Sequence, residues 1–376
     1  MQKICGILDV NSFEIRCPDD EQIPGDQLRG IYKEAAFMSH DCIGNTHVSL
    51  NDFFEMTIHA SVPIKSGQAI FFNYANPFEV SVHTNPVLSQ HFIITFYFKK
   101  KIVFCFQCTA ARQQRLKKGK YFNCFCKRCT DPTELGTYSG SIICPRCHEG
   151  CIISQNPLSD SSGWNCEKCN HFFYDQLIKA TIVEGQNLLS DVDETNSTQL
   201  ESLLKKCLKS FPQNNHVIIE IKQKLITALR DALRNQMNPQ KKILIKIIRF
   251  CREMINFLEI IEPGISRHKG KKIHFDLVLV FFVPMAWWKD DFFFFLGIVF
   301  YELYKPMLML AEKKYELKEI NFLEFVYEME ECEKILKKAI DILIYEPNNS
   351  PEGRFLKIAM HELKDLRKNV SLLKKS

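Results

Sequence analysis

Eight of the sixteen cysteines fall between Lys120 and Cys169, a clustering that an ordinary apolar core does not call for. Within it, Cys144-x-x-Cys147 is followed, eighteen residues on, by Cys166-x-x-Cys169. That is the four-thiolate spacing of a structural zinc site: each short knuckle presents two sulfurs, and the loop between them returns the second pair. Pro145, Gly150 and Gly163 supply turns at the right places. Unrelated buried thiols are the plainer alternative, but they give no reason for the doubled spacing, and Cys151 reads as a bystander. The preceding run, Cys124-x-Cys126-x-x-Cys129, is one donor short of a closed tetrahedral site and needs a fourth ligand from elsewhere in the chain.

Cysteines in metal-type spacing, with no secretory leader at Met1-Gln2-Lys3, point to a reducing compartment, the nucleus or cytoplasm, and to zinc thiolates rather than disulfides. The 376 residues are enough for about two domains with sizeable cores. A net charge of +5, the difference between 49 basic and 44 acidic residues, is too slight a basic excess to argue for nucleic acid. The lysine blocks at 117–120 and 269–272 read as solvated faces. The uncharged run Leu277 to Trp288 is twelve residues long, against about 20 for a membrane-crossing helix, so no membrane partner is expected.

Ser39-His40-Asp41-Cys42-Ile43-Gly44-Asn45 resembles the N-H-S-C-x-P-N signature of SET-domain lysine methyltransferases, and Cys124-x-Cys126-x-x-Cys129 resembles their post-SET zinc motif. Arg29-Gly30-Ile31-Tyr32, Asp131 to Tyr138 (DPTELGTY) and Pro263-Gly264-Ile265-Ser266-Arg267 narrow the resemblance to the SET and MYND family, in its insect SmydA branch. It covers about residues 4–90, 108–272 and 298–370. The resemblance implies that Cys42 completes the first zinc site with Cys124, Cys126 and Cys129. It implies S-adenosylmethionine as methyl donor, a cofactor pocket with contributions from Asn11, Ser39, His40, Tyr74 and Phe122, and Tyr74 as the catalytic tyrosine beside the transferred methyl. Ser39, Asp41 and Gly44 depart from the signature asparagine, serine and proline, so one expected amide contact to the cofactor is lost. The resemblance also implies a glycine-bearing cofactor segment and a MYND module ahead of residue 1, so the chain reads as entered partway through a domain.

The expected fold is α+β. Residues 1–89 are the C-terminal part of a β-rich SET domain, with strands expected around Phe53–Ala60 and Ala69–Tyr74 from β-formers flanking the Ser66-Gly67-Gln68 turn. Residues 108–172 form the cysteine-rich zinc-binding post-SET region. From 173 to 376 the apolar period becomes helical: Phe322, Phe325, Met329, Cys332, Leu336, Ala339 and Leu343 recur at three- and four-residue steps. Helical hairpins of this kind resemble the family's tetratricopeptide-like domain, although no 34-residue repeat is present; a plain helical bundle is the alternative. Two stretches, 90–107 and 271–296, interrupt family motifs with Phe-, Ile- and Lys-rich sequence and read as anomalous insertions, of the kind a translated intron would leave.

Two functions follow from this reading. One is a protein-lysine methyltransferase acting on a histone or non-histone lysine. The other is a catalytically inactive, zinc-dependent interaction or transcription-regulatory protein that engages protein partners through its helical domain.

Overall fold

The computed structural model describes residues 2–15, 27–74, 108–234, 239–264, 272–275, 279–283, 295–346, 348 and 351–374. The stretch 90–107, expected as an insertion, lies outside these described residues.

Short strands dominate the beginning of the chain. Helix α1 (Gln2–Asn11) leads into β1 (Phe13–Ile15), β2 (Gln27–Ile31), β3 (Ser39–His40), β4 (Thr46–Leu50), β5 (Met56–Ala60) and β6 (Phe71–Phe72). β1 and β2 pair antiparallel, as do β4 and β5, where Val48 faces Ile58. Met56 and Ile58 share one face of β5, as the two-residue period of a strand requires, and with Tyr32 and Ala35 they form a small core. Tyr32 is fully buried, and its hydroxyl donates to the Phe54 carbonyl at 2.6 Å.

β3 and β6 pair in parallel, which brings two segments thirty residues apart into register: Ser39 lies opposite Phe71 and His40 opposite Phe72. Asn45 holds this crossing together. Its side-chain amide donates to the Ala69 carbonyl at 2.9 Å and accepts from the Phe71 N–H at 2.8 Å, while the Thr46 hydroxyl donates to the Phe71 carbonyl at 2.8 Å. The crossing is tight at Gly44, where a Cβ would stand 3.0 Å from the Phe71 carbonyl oxygen.

The cysteine-rich region follows. Helix α2 (Thr109–Gly119) and the single turn α3 (Lys127–Thr130) precede a four-stranded antiparallel sheet of β7 (Ile142–Ile143), β8 (Cys151–Ser154), β9 (Trp164–Cys166) and β10 (Phe172–Phe173), ordered β10-β9-β8-β7. Next come helices α4 (Asp175–Ser190), α5 (Ser197–Cys207), α6 (His216–Arg234) and α7 (Lys241–Ile261), and later α8 (Phe295–Glu316), α9 (Phe322–Leu343) and α10 (Pro351–Leu373). From α4 onward each helix packs against its successor. The stripe read from the sequence is the buried face of α9, where Phe325, Met329, Cys332, Leu336, Ala339 and Leu343 all point inward. Asn321 and Glu324 form a reciprocal capping box at its start. The core of these helices is continuous with the second cysteine sheet through Ile142, Ile152 and Phe173. No helix among the described residues is long and apolar enough to cross a membrane.

The stretch 271–296 supplies two strands to the N-terminal sheets and the start of α8. β11 (Lys272–Phe275) pairs antiparallel with β5, and β12 (Leu279–Val283) pairs antiparallel with β2. The apolar run Leu279–Val283 thus occupies a strand position whose partner lies in the first sixty residues. The chain turns back toward these sheets just after α7, at Pro263-Gly264. Gly264 has φ +82°, and a Cβ there would lie 1.9 Å from the carbonyl oxygen of Ser61, just beyond β5. Alanine at 264 would therefore force apart two backbones as well as occupy a left-handed conformation, and a loss of about 2–3 kcal/mol is expected. A thermal melt of Gly264→Ala that overlays the native curve would overturn this account.

Candidate functional site

The first cysteine group assembles from three places: Cys42 after β3, Cys124 and Cys126 in the loop after α2, and Cys129 in α3. Their four sulfurs lie within 4.8 Å of one another. Cys42 Sγ is 3.9 Å from Cys124 Sγ and 3.5 Å from Cys129 Sγ. A tetrahedral zinc with bonds of about 2.3 Å sets its sulfurs about 3.8 Å apart, so the donor set and its spacing fit zinc. The Cys126 N–H points at Cys124 Sγ at 3.4 Å, the backbone-to-thiolate contact of a metal knuckle.

The second group, Cys144, Cys147, Cys166 and Cys169, also gathers within 4.8 Å, with Cys144 to Cys169 at 3.8 Å and Cys147 to Cys166 at 3.6 Å. Its two knuckles turn alike. His148 and Asn170, each directly after the second cysteine of its pair, have positive φ, 57° and 53°, and donate to the Cys144 and Cys166 carbonyls at 2.9 and 3.0 Å. Both groups therefore have the composition and spacing of structural zinc sites. Cys151 stands outside the second group.

Charged residues unremarked in the sequence surround the first group. Arg112 on α2 is fully buried; one of its terminal nitrogens donates to Glu134 Oε2 at 2.7 Å, the other to Thr109 Oγ1 at 3.0 Å and to Cys129 Sγ at 3.5 Å. Arg128, also buried, is 3.6 Å from the same Glu134 oxygen, and Glu134 Oε1 accepts the Thr109 N–H at the start of α2. Burial alone would raise the Glu134 pKa, but the two guanidiniums and these hydrogen bonds hold it below the usual carboxylate range. A zinc with four thiolates carries two net negative charges, and two arginines facing it are the expected counter-charge. Sequence reading missed this network because a buried arginine has no periodic signature.

His40 connects the first group to an aromatic cluster. Its Nδ1 accepts the Tyr74 backbone N–H at 2.9 Å, which assigns the ring proton to Nε2, 3.3 Å from Cys42 Sγ. Burial lowers its pKa to about 4, so the ring is neutral at pH 7. The Tyr74 ring lies 5.2 Å from His40 and 6.3 Å edge-on from Phe122, and Phe122 lies 5.6 Å from His40. The Tyr74 hydroxyl donates to the Met38 carbonyl, and burial raises its pKa, keeping it a phenol. Lys120 spans from the Tyr74 face, 5.8 Å from the ring centre, to the Val10 carbonyl at 2.7 Å. Asn11, at the end of α1, uses its side chain to donate to the Ile7 carbonyl at 2.9 Å, and the Ser39 side chain is exposed. The structure thus brings His40, Tyr74 and Phe122 together and leaves Asn11 and Ser39 outside their contacts.

No protein-family model matches the chain. Over 231 residues, 60% of this chain, it is 25% identical to the SET domain-containing protein SmydA-8, isoform A, of Drosophila melanogaster; isoform B is 24% identical over 232 residues. The chain is a distant homologue of the SET domain-containing protein SmydA-8. It spans less than half the length of these curated relatives, 43% and 44%.

Against the SET signature, Asn45 has the clearest structural task, as the clamp between β3 and β6. Asp41, where the signature has serine, accepts the Ile43 N–H at 2.7 Å and shapes the turn into Cys42; burial raises its pKa to about 6. Gly44, where the signature has proline, sits at the closest approach of the two crossing segments.

Proposed function

We propose that the chain carries part of an S-adenosylmethionine-dependent protein-lysine methyltransferase of the SET and MYND type, with a zinc-bearing post-SET region and a tetratricopeptide-like helical region beside it. The observation that carries this reading is the meeting of His40, Tyr74 and Phe122 from three separate segments, directly beside the first cysteine group. In this reading Tyr74 is the catalytic tyrosine; Asn11, Ser39, His40, Tyr74 and Phe122 contribute to the cofactor pocket; and the two four-cysteine groups, Cys42, Cys124, Cys126 and Cys129 and Cys144, Cys147, Cys166 and Cys169, each hold a zinc ion.

S-adenosylmethionine, when bound, supplies an electrophilic methyl on a sulfonium. The chain's part is to place and shield. Tyr74 gives its hydroxyl hydrogen to the Met38 carbonyl, which fixes the ring and leaves the phenol oxygen as an acceptor for polarised C–H groups. His40 locks the Tyr74 backbone from behind and, through Cys42, ties it to the metal site. Phe122 offers an aromatic face at the same point. Alignment of a neutral lysine amine with the methyl is the main rate term such a site can supply.

The test is calorimetric titration of the protein expressed from its full transcript with S-adenosylmethionine, followed by transfer of labelled methyl to histone and non-histone lysine peptides. Micromolar binding and measurable transfer are expected, with Tyr74→Phe lowering the rate about a hundredfold while changing cofactor affinity far less. If transfer survives in Tyr74→Phe at the native rate, the assignment of Tyr74 is wrong.

A second reading, an inactive zinc-stabilised interaction protein, is favoured by the Asp41 turn, the exposed Ser39 and the Asn11 side chain bonded back to its own helix. Absence of both binding and transfer, with two zinc ions present, would select it.

A further inference from the structure

The segment between the two cysteine groups, residues 131–141, is bonded to both. Glu134 reaches back to the first group, where its carboxylate holds Arg112, and Arg112 donates to Cys129 Sγ. Four residues on, the Tyr138 hydroxyl donates to Glu167 Oε2 at 2.9 Å. Glu167 lies inside the second knuckle, between Cys166 and Cys169, and its other oxygen accepts the Cys151 N–H at 3.0 Å. The segment is also fastened to the helices: the Ser139 carbonyl accepts from the His216 backbone N–H at 3.1 Å, and the Ser141 carbonyl from the Asn215 amide at 2.8 Å.

Its backbone is unusual. Glu134, Leu135, Gly136 and Tyr138 all have positive φ, between 50° and 75°. Three of these four carry side chains, so the conformation is intrinsically unfavourable and persists because both ends are held. Asp131 supports it locally by accepting from the Thr133 and Leu135 N–H groups, each at 2.8 Å. A strained span with an anchor at each metal group has the properties of a coupling element: release at one end removes the restraint that positions the other.

We propose that the 131–141 segment couples the two cysteine groups, so that metal in the second raises the affinity of the first for metal, and the reverse. The path runs from Glu167 through Tyr138 and the left-handed turn to Glu134, Arg112 and Cys129. Coupling of this kind is reciprocal by thermodynamic necessity. The proposal rests on the reading of both groups as metal sites and is independent of methyl transfer.

The experiment is cobalt titration of the metal-free full-length chain, following thiolate-to-cobalt absorbance in competition with a chelator. In Cys147→Ser, which disables the second group, the first should bind cobalt about tenfold more weakly than in the native chain, within the range usual for coupled sites. Tyr138→Phe keeps all eight cysteines and severs the tie; in its background, adding Cys147→Ser should leave the affinity of the first group unchanged. Conversely, Glu134→Gln should weaken the second group in a Cys126→Ser chain less than it does when both groups are intact. Far-ultraviolet circular dichroism identifies which variants keep their helices, and Tyr138→Phe, the mildest change, is read first. An affinity of the first group indifferent to Cys147→Ser, or equally sensitive to it with and without Tyr138, would overturn the proposal.

Discussion

Replacing Cys42 with serine is expected to lower the zinc content of the purified chain from two equivalents to one and to melt the N-terminal sheets well below the helices. Cys42 is the one ligand of the first group that comes from the N-terminal strands; the other three lie within six residues of one another. Structural zinc in small domains contributes about 10–16 kcal/mol of apparent binding free energy, much of which appears as folding free energy. Loss of one thiolate therefore removes far more than the packing of one buried side chain, and it cuts the link between β3 and the post-SET-like loop. Elemental analysis together with a two-wavelength melt reads the outcome. Retention of two zinc ions by Cys42→Ser would show that the first group is not the site its geometry describes. The serine variant of Cys151, outside both groups, should keep both metals.

The second large effect concerns Glu134. Its carboxylate is the shared partner of two guanidiniums that are 0% and 1% exposed, and it also receives the first N–H of α2. Breaking a buried ion pair by removing one partner costs about 3–5 kcal/mol. In Glu134→Ala a value near 3 kcal/mol is expected, because the thiolates of the metal group remain to balance the arginines. Glu134→Gln keeps an acceptor for Arg112 and Thr109 and should lose less. Urea unfolding of both variants, with metal present, gives the comparison. In metal-free protein, where the thiols protonate, the Glu134→Ala loss should grow. Equal losses for the two variants would mean that charge alone, and not hydrogen bonding, is what Glu134 provides.

What the sequence disclosed and what it hid follow from how far apart interacting residues lie. The second cysteine group and three ligands of the first were legible, since a knuckle is a short local device whose spacing survives without knowledge of the fold; Cys42, 82 residues from the nearest of the three, was named only from the resemblance. The α9 stripe was legible for the same reason: it depends on the helical period alone. Arg112, Arg128 and Glu134 were not, although each sits in a segment that resembles the family, because residue type suggests solvent and only the folded chain shows their burial. Asn45 ended a recognised signature, yet its clamp needs Ala69 and Phe71, which arrive on another strand. The stretch 271–296 looked foreign because β11 and β12 have no local partners; their ladders are with β5 and β2. All three residues of the aromatic cluster, His40, Tyr74 and Phe122, were named from resemblance, but the hydrogen bond that fixes the imidazole tautomer could come only from the backbone geometry.

Those two late strands matter for how the chain is made as well as how it stands. On a ribosome, β2 and β5 emerge early and present an open edge each, while β11 and β12 are still unsynthesised. At about 5–20 residues per second, β12 follows β2 by roughly 10–50 s, ample time for an unpaired edge to find a wrong partner. The helices α4 to α7 meanwhile have only near neighbours to find and can form as they appear. The N-terminal sheets are thus begun first and finished after much of the helical region, and production of this chain should depend strongly on synthesis rate and on chaperones that shield strand edges.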